Sequence, residues 1–143
     1  MQASEEIARL FNDSYERVVN TSAEMRHEFF DRFYVRFLEK SPEAARKFEH
    51  MDMRSQVRML QASVALFVAY YAEGFANPVL ERVAERHGET GANIHRDLYP
   101  VWLEALIETV RAHDPKCDDR VEEAWRAVFS KGIEFMMAHS SPP

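Results

Sequence analysis

Residues 33–48 read FYVRFLEKSPEAARKF, and this stretch joins two helical patterns across a serine-proline pair. Its aromatic residues, Tyr34 among them, recur at the spacing of one helix face up to about Lys40. Pro42 then falls where a new helix tolerates it, because the first turn leaves its N–H groups unpaired in any case. The stretch therefore predicts a long helix, a break, and a short helix that ends at Phe48.

The rest of the chain continues this helical periodicity, with no strand-like alternation between hairpin turns. Four glycines in 143 residues, with abundant alanine, leucine, glutamate and arginine, are typical of helical proteins. Capping residues and prolines mark a bundle of six or seven helices and a loop after the fifth. The predicted helices run from about Ser4 to Val19, from Thr21 or Ser22 to Lys40, from Pro42 to Phe48, from Met53 to Glu73, from Pro78 to His87, from the segment between Asp97 and Pro100 to His113, and from Asp118 or Asp119 to His139.

Composition and charge limit the class of protein. The chain has the length of one domain and needs no disulfide to bury a core. Cys117 is its single cysteine, so we expect no internal bridge and a reducing, cytoplasmic location. The net charge of −6, without a basic run, argues against nucleic acid or an anionic membrane as partner. An acidic start and the lack of long apolar stretches predict a soluble protein without a signal peptide.

Three apolar helix stripes each carry one polar residue where the pattern favours a hydrophobic one. His87 follows Val83 and Ala84 at helical spacing, Gln56 begins the stripe of the long helix, and Tyr34 lies among phenylalanines. Taken singly, each has an ordinary interpretation: a core histidine bonded to a carbonyl, a glutamine facing water, and a tyrosine bonded to the main chain.

Together the three residue types suit one kind of site. A neutral imidazole is a good axial ligand for haem iron, and its second nitrogen is usually held by a carbonyl. Dioxygen bound on the opposite side acquires partial negative charge and gains from a hydroxyl or amide donor. We therefore expect His87 to hold a haem, with Tyr34 and Gln56 facing the bound gas and apolar neighbours excluding water.

The order and spacing of these motifs resemble the globin family. FYVRFLEKSPEAARKF is similar to the globin B-to-C helix segment, including the proline that opens the C helix and the phenylalanine that lies on the haem. QVRMLQASVALFVAYY looks like the E helix, and VAERHGETG looks like the end of the F helix with its proximal histidine. YPVWLEALIETV and AWRAVFSKGIEFM resemble the G and H helices. The likeness is to bacterial single-domain globins and the haem domain of flavohaemoglobins, and it implies an all-α globin fold over residues 1–143.

The resemblance also implies roles for individual residues toward a haem b. His87 would ligate the iron, Tyr34 and Gln56 would donate to the gas, Leu60 would lie beside it, and Phe48 would pack on the porphyrin. The remaining cofactor-binding residues that we expect are Arg58, Val83, Tyr99 and Trp102. Because the connection before the long helix is short, the register could instead bring Ser55 or Val57 to the position of Gln56.

The other basic residues have weaker claims on the site. A guanidinium suits a haem propionate, but solvated helix faces explain these side chains equally well; the candidates are Arg54, Arg58 and Arg86. His95 is an alternative proximal ligand, although it lies beyond two glycines and outside the apolar stripe, and His50 is a candidate sixth ligand if its connecting loop moves. We expect the remaining histidines at the surface; they are His27, His113 and His139.

Several functions are compatible with such a site. The leading hypothesis is reversible binding of dioxygen, NO or CO by ferrous haem. The alternatives are NO dioxygenation or a weak peroxidase-like activity, either of which needs a separate reductase because no flavin module is visible. A glutamine is a poor distal base for peroxidase chemistry. A gas sensor that acts through a partner protein and a globin-shaped helical domain without haem remain as further alternatives.

Overall fold

The computed structural model describes residues 2–74, 78–87 and 96–138. Within these ranges the chain forms seven helices and no strand, which confirms the predicted all-α class. Each predicted helix is present, and its described ends fall within about two residues of the predicted ones, which is the ordinary uncertainty of helix boundaries. The predicted loop over 88–93 and the end near His139 lie outside the described residues. The helices are α1 (Gln2–Val18), α2 (Ala23–Lys40), α3 (Pro42–Phe48), α4 (Met53–Glu73), α5 (Pro78–His87), α6 (Leu98–His113) and α7 (Asp119–Ala138).

Serine side chains begin the helices around the break in the B-to-C-like segment. The Ser22 hydroxyl accepts the main-chain N–H of Met25 at 3.1 Å and thereby caps α2. The Ser41 hydroxyl accepts the N–H of Ala44 at 3.1 Å, directly before Pro42 in the first turn of α3. Each cap satisfies an N–H that has no partner inside its helix, so the sequence encodes both starts locally.

Aspartates and a glycine set other helix ends. The Asp52 carboxylate accepts the N–H of Arg54 at 3.2 Å at the start of α4, and Asp118 accepts the N–H of Val121 at 2.9 Å at the start of α7. Gly74 ends α4 with a φ of +83°, a left-handed conformation that a residue with a Cβ adopts only at a cost. These ends fix the lengths of the two helices that carry much of the core.

The largest aromatic residues of the core join α1 to α7. Trp125 stacks on Phe129 with ring centroids 5.9 Å apart and an interplanar angle of 13°. Phe11 of α1 meets both rings edge-on, at centroid distances of 4.8 and 5.9 Å. All three residues are buried. The first helix is therefore part of the core and not an appendage.

A buried polar network lies beside this aromatic cluster. The Trp125 indole N–H donates to the Ser14 hydroxyl at 2.9 Å, and Ser14 donates to the Asp114 carboxylate at 2.6 Å. Arg17 donates to both carboxylate oxygens, at 2.7 and 2.9 Å, and the Lys116 main-chain N–H adds a bond of 2.9 Å. Burial by itself raises the pKa of Asp114, but the bonds from Arg17 and Ser14 outweigh it and hold this pKa below its usual value. The network joins α1 to the connection between α6 and α7.

Gly132 lies where α7 packs against α4. A Cβ atom at Gly132 would lie 2.8 Å from Cε1 and 3.0 Å from Cγ of the Phe67 ring. Phe67 in turn meets Trp102 and Phe129 edge-on. The lack of a side chain at Gly132 therefore lets α7 approach α4 closely enough to hold the Phe67 ring in place.

The outer faces of the helices are polar. Arg111 pairs with Glu122 at 2.8 Å, and Arg126 pairs with Glu104 at 2.5 Å, both between α6 and α7. In the described ranges, no helix combines the length and the apolar character that crossing a bilayer requires.

Candidate functional site

The helices from α2 to α7 surround an apolar cavity of about 880 Å³, with the solvent at its mouth included. Its wall contains residues from all six helices.

Aromatic residues of α2 and α3 form one corner of the cavity. Tyr34 and Phe37 lie one helical turn apart on α2 and are buried. Phe48, the last residue of α3, meets the Tyr34 ring edge-on at a centroid distance of 5.7 Å and the Phe37 ring at 6.4 Å. The proline-led break between the two helices therefore brings Phe48 back against the inner face of α2.

One face of α4 supplies the next part of the wall. Its members follow at three- and four-residue intervals, as the helical period requires; they are Gln56, Met59, Leu60, Ser63 and Phe67. Leu60 and Phe67 are buried, Gln56 and Ser63 are half-buried, and Met59 is 54% exposed. Met59 is therefore the solvent-exposed part of this α4 face, and Phe67 is a buried part of it.

The hydroxyl of Tyr34 crosses from α2 to α4. Its oxygen lies 3.1 Å from the main-chain oxygen of Gln56, to which it donates. Burial raises the pKa of Tyr34 well above its ordinary value, so the phenol keeps its proton at physiological pH. Tyr34 is therefore a neutral hydrogen-bond donor at the cavity wall.

The rest of the wall is formed by α5, α6 and α7. Val83 is the α5 residue in the wall. From α6, Trp102 packs its indole edge-on against the Phe33 ring, with centroids 5.5 Å apart, and against the Phe67 ring, at 6.1 Å. The other wall residues from these helices are Leu98, Tyr99, Ile133 and Met136, all buried. Together with the α2, α3 and α4 residues they enclose a mostly apolar cavity.

A family comparison adds to this geometry. The family model described as Globin matches residues 31–136, about three quarters of the chain. The chain belongs to the globin family. A crystal structure of a Pseudomonas aeruginosa protein, described as structurally highly homologous to a human haemoglobin, matches this globin with a TM-score of 0.83 and 32% identity, over 94% of this chain and 99% of that one. No curated protein sequence matches this globin significantly.

Haem binding follows from globin membership, and the cavity fits that group. A porphyrin is a flat, largely apolar plate, and the cavity offers it a mostly apolar lining from six helices, with an aromatic residue at Phe48. Leu60 and Val83 would contact it from α4 and α5, and Trp102 from α6. The Tyr34 phenol, buried and protonated in the same wall, is a hydrogen-bond donor. Such a donor suits a polar ligand bound to the haem iron and not the apolar porphyrin ring.

Most of the predicted site residues of this globin come together at the cavity. Those that line it are Tyr34, Phe48, Gln56, Leu60, Val83, Tyr99 and Trp102. His87 is the last residue of α5, and its side chain lies outside the described residues. The alternatives to Gln56 are not in the wall: Ser55 donates to the Asp52 carboxylate at 3.0 Å, and Val57 is buried elsewhere in the core.

The arginines expected at the propionates lie elsewhere. Arg58 is exposed, absent from the cavity wall, and donates to the Ser55 hydroxyl at 3.2 Å. It follows Gln56 by two positions, which places it on another face of α4. Arg54 and Arg86 are exposed as well, and neither is in the wall. Arg58 therefore does not line the cavity, and its pairing with a haem propionate stays a prediction.

The remaining histidines divide into three groups. His27 and His50 are exposed, as expected for His27. His113 was expected at the surface, which is wrong: it is half-buried, with its ring 5.9 Å from the Phe29 ring, and burial lowers its pKa. His95 and His139 lie outside the described residues. No histidine whose side chain the structure describes lines the cavity.

Sequence reasoning missed several wall residues. Phe37 and Phe67 continue stripes already visible in the sequence, so helical periodicity could have found them. Ile133 and Met136 could not be found in this way, because their place depends on how α7 crosses α4. Lys47 carried no signal except its position next to Phe48.

Proposed function

We propose that this globin holds one haem b through His87 and reversibly binds a diatomic gas, dioxygen, NO or CO, on the side of Tyr34 and Gln56. The observation that carries the proposal is the buried Tyr34 hydroxyl in the wall of a mostly apolar cavity that six helices of a globin fold surround. When bound, the haem supplies the ferrous iron at which the gas is held. We further propose that residues 1–143 form one globin domain that works in the cytoplasm of a bacterium, with a separate reductase keeping the iron ferrous.

Helix register supports His87 as the ligand. His87 follows Val83 by four positions on α5, and residues at this spacing share a helix face. Val83 contributes to the cavity wall, whereas none of the described histidine side chains does. A neutral imidazole on that face is the ligand type that globin haems use.

The state of Tyr34 supports its role as a donor. A phenol has one proton, and Tyr34 keeps it because burial raises its pKa. The proton now lies toward the main-chain oxygen of Gln56, and rotation of the hydroxyl about its C–O bond can turn it toward a gas in the cavity. Water is scarce in a mostly apolar cavity, so a hydrogen bond there is electrostatically stronger than in solvent. The Gln56 amide, half-buried at the same wall, is a second donor.

Absorption spectra of the purified protein test the proposal. We expect a haem Soret band in the ferric form that shifts on reduction and again on addition of CO. His87→Ala is expected to lose the spectrum of a histidine-ligated haem, and the exposed histidine variant His50→Ala serves as the matched control.

Two results would contradict it. A protein that stays colourless after haem is offered would remove the function altogether and leave a globin-shaped domain without a cofactor. Unchanged spectra in His87→Ala would remove only the ligand assignment, and a loss in His95→Ala instead would move the ligand to His95.

A further inference from the structure

Two methionines contribute to the wall of the cavity, and they differ in their access to solvent. Met59 of α4 is 54% exposed, whereas Met136 of α7 is 3% exposed and belongs to the core. Met25 and Met51 are exposed as well, but neither lines the cavity. Among the methionines that the structure describes, Met59 is therefore the one that both lines the cavity and is open to solvent.

We propose that Met59 is a modification site at the mouth of the cavity, where hydrogen peroxide from the solvent oxidises the thioether to a sulfoxide and makes the wall polar. In this step the sulfur forms a bond to one oxygen of the peroxide while the O–O bond breaks. The sulfur loses two electrons, the peroxide is reduced, and the departing hydroxide takes up a proton to become water. The product is methionine sulfoxide, which methionine sulfoxide reductases convert back to the thioether.

Burial decides which thioether of the wall the oxidant can reach. Oxidation of sulfur follows its exposure, so the core position of Met136 protects it. Methionine has three rotatable bonds, and the exposed Met59 side chain can therefore turn its sulfur toward solvent. The wall thus contains one reactive and one protected thioether, and each serves as a reference for the other.

A sulfoxide at position 59 changes the chemistry of the α4 face. The thioether is apolar, whereas the sulfoxide oxygen is polar and accepts hydrogen bonds. Gln56 precedes Met59 by three positions, so the two are neighbours on the helix surface, and the half-buried Gln56 amide is a donor that the new oxygen can engage. An apolar molecule in the cavity then competes with water and polar groups at the wall and binds less tightly. The effect on the empty cavity is independent of the proposed function, and only the effect on a bound haem rests on it.

The test oxidises the full chain before haem is offered and then measures sulfur oxidation and cavity binding separately. Peptide mass spectrometry after brief treatment with hydrogen peroxide is expected to show Met59 oxidised several times faster than Met136. The cavity is probed with anilinonaphthalene sulfonate, a largely apolar dye that fluoresces when it leaves water. We expect the oxidised wild type to bind the dye about two to five times more weakly, the effect of adding a polar group to a partly exposed apolar wall. Methionine sulfoxide reductase is expected to restore the affinity.

Two variants assign the effect to one sulfur. Met59→Leu keeps an apolar side chain without a thioether, so its dye affinity is expected to stay unchanged by peroxide although Met25 and Met51 still oxidise. Met51→Leu is the matched control, because Met51 is exposed but lies outside the wall. Peroxide is expected to weaken dye binding in Met51→Leu as much as in the wild type.

Three results overturn the proposal. They are oxidation of Met136 as fast as Met59, an unchanged dye affinity in wild type whose Met59 is oxidised, and an equal loss of affinity in peroxide-treated Met59→Leu. Haemin offered to the same samples separates this inference from the proposed function. If the dye behaves as expected but no sample takes up haemin, the proposed function fails and the modification site stands.

Discussion

The Tyr34 hydroxyl bonds to the main-chain oxygen of Gln56, 3.1 Å away, and not to a side chain. This bond links α2 to the start of α4. Its acceptor is a main-chain oxygen, so replacing the side chain at position 56 leaves the acceptor in place. Tyr34 is therefore held at the cavity wall independently of the Gln56 amide. The two donors proposed for the gas site can be altered separately, and the first prediction uses this.

Replacement of Tyr34 by phenylalanine should speed the release of dioxygen. The variant loses one hydrogen bond in a mostly apolar cavity, worth about 1 kcal/mol, so we expect a rate roughly five- to tenfold higher. CO carries less negative charge when bound and should leave at nearly the same rate as from the wild type. Laser photolysis and stopped-flow mixing measure both rates. An equal change for the two gases would contradict a donor role and indicate altered packing.

The same residue should make stability depend on alkaline pH. Burial raises the folded-state pKa of Tyr34 above its unfolded value of about 10. The contribution of the protonated phenol is therefore complete below pH 10 and is lost as the pH rises from there toward the folded-state pKa, because only the unfolded chain gives up the proton in that interval. Urea unfolding from pH 8 to 11 should show a steeper loss of stability in the wild type than in Tyr34→Phe. Parallel curves would show that the phenol ionises equally in both states.

The buried carboxylate of Asp114 should be the most sensitive charged position in the protein. Asp114→Asn removes the partner of Arg17 and disrupts the bonds from Ser14 and Lys116, and breaking a buried pair on one side typically costs about 3–5 kcal/mol. Chemical denaturation measures the loss. Glu104→Gln, which breaks the exposed pair with Arg126, is the control and should cost no more than about 1 kcal/mol.

Acid titration gives a second reading of the same site. The folded-state pKa of Asp114 is depressed, so its contribution to stability is complete above the usual aspartate pKa and is lost as the pH falls through the lower folded-state value. We expect the wild type to lose stability in acid more steeply than Asp114→Asn does. If both lose it equally, other carboxylates dominate acid unfolding.

An alanine at Gly132 should force α7 away from α4. Its Cβ would lie 2.8 Å from Cε1 of Phe67, so either the helices separate or the ring moves, at a cost of about 1–3 kcal/mol. Thermal unfolding measures this cost. Phe67→Leu removes most of the clash, so the double variant should lose less stability than the two single losses added together. Simple additivity would mean that the crossing has room for a methyl group.

Local signals in the sequence predicted much of the fold. The caps at Ser22, Ser41 and Asp52 and the glycine at 74 act on their own helices, so they could be recognised without knowledge of the rest of the chain. The same holds for Tyr34, whose helical stripe indicated a buried position. The start, the end and the buried face of a helix can therefore be inferred from the sequence of that helix alone.

Features that depend on how helices cross could not be predicted in this way. Arg58 does not belong to this group, because its two-residue offset from Gln56 already places it on another face of α4. His113 seemed solvent-facing at the end of its helix, but the Phe29 ring of α2 covers it. Lys47 enters the wall because α3 folds back onto α2. The residue pattern of α3, a helix of seven residues, does not reveal this packing.

The contacts of Ser14 limit how far the chain of this globin can be truncated from its N-terminus. The family match starts at residue 31, after α1 has ended, yet Ser14 receives the Trp125 indole and Arg17 balances the Asp114 charge. A fragment limited to residues 31–136 would expose one side of Trp125 and leave the Asp114 carboxylate without Arg17. We therefore expect the smallest unit that folds to be wider than the region by which the family is recognised, and any truncated version should keep α1.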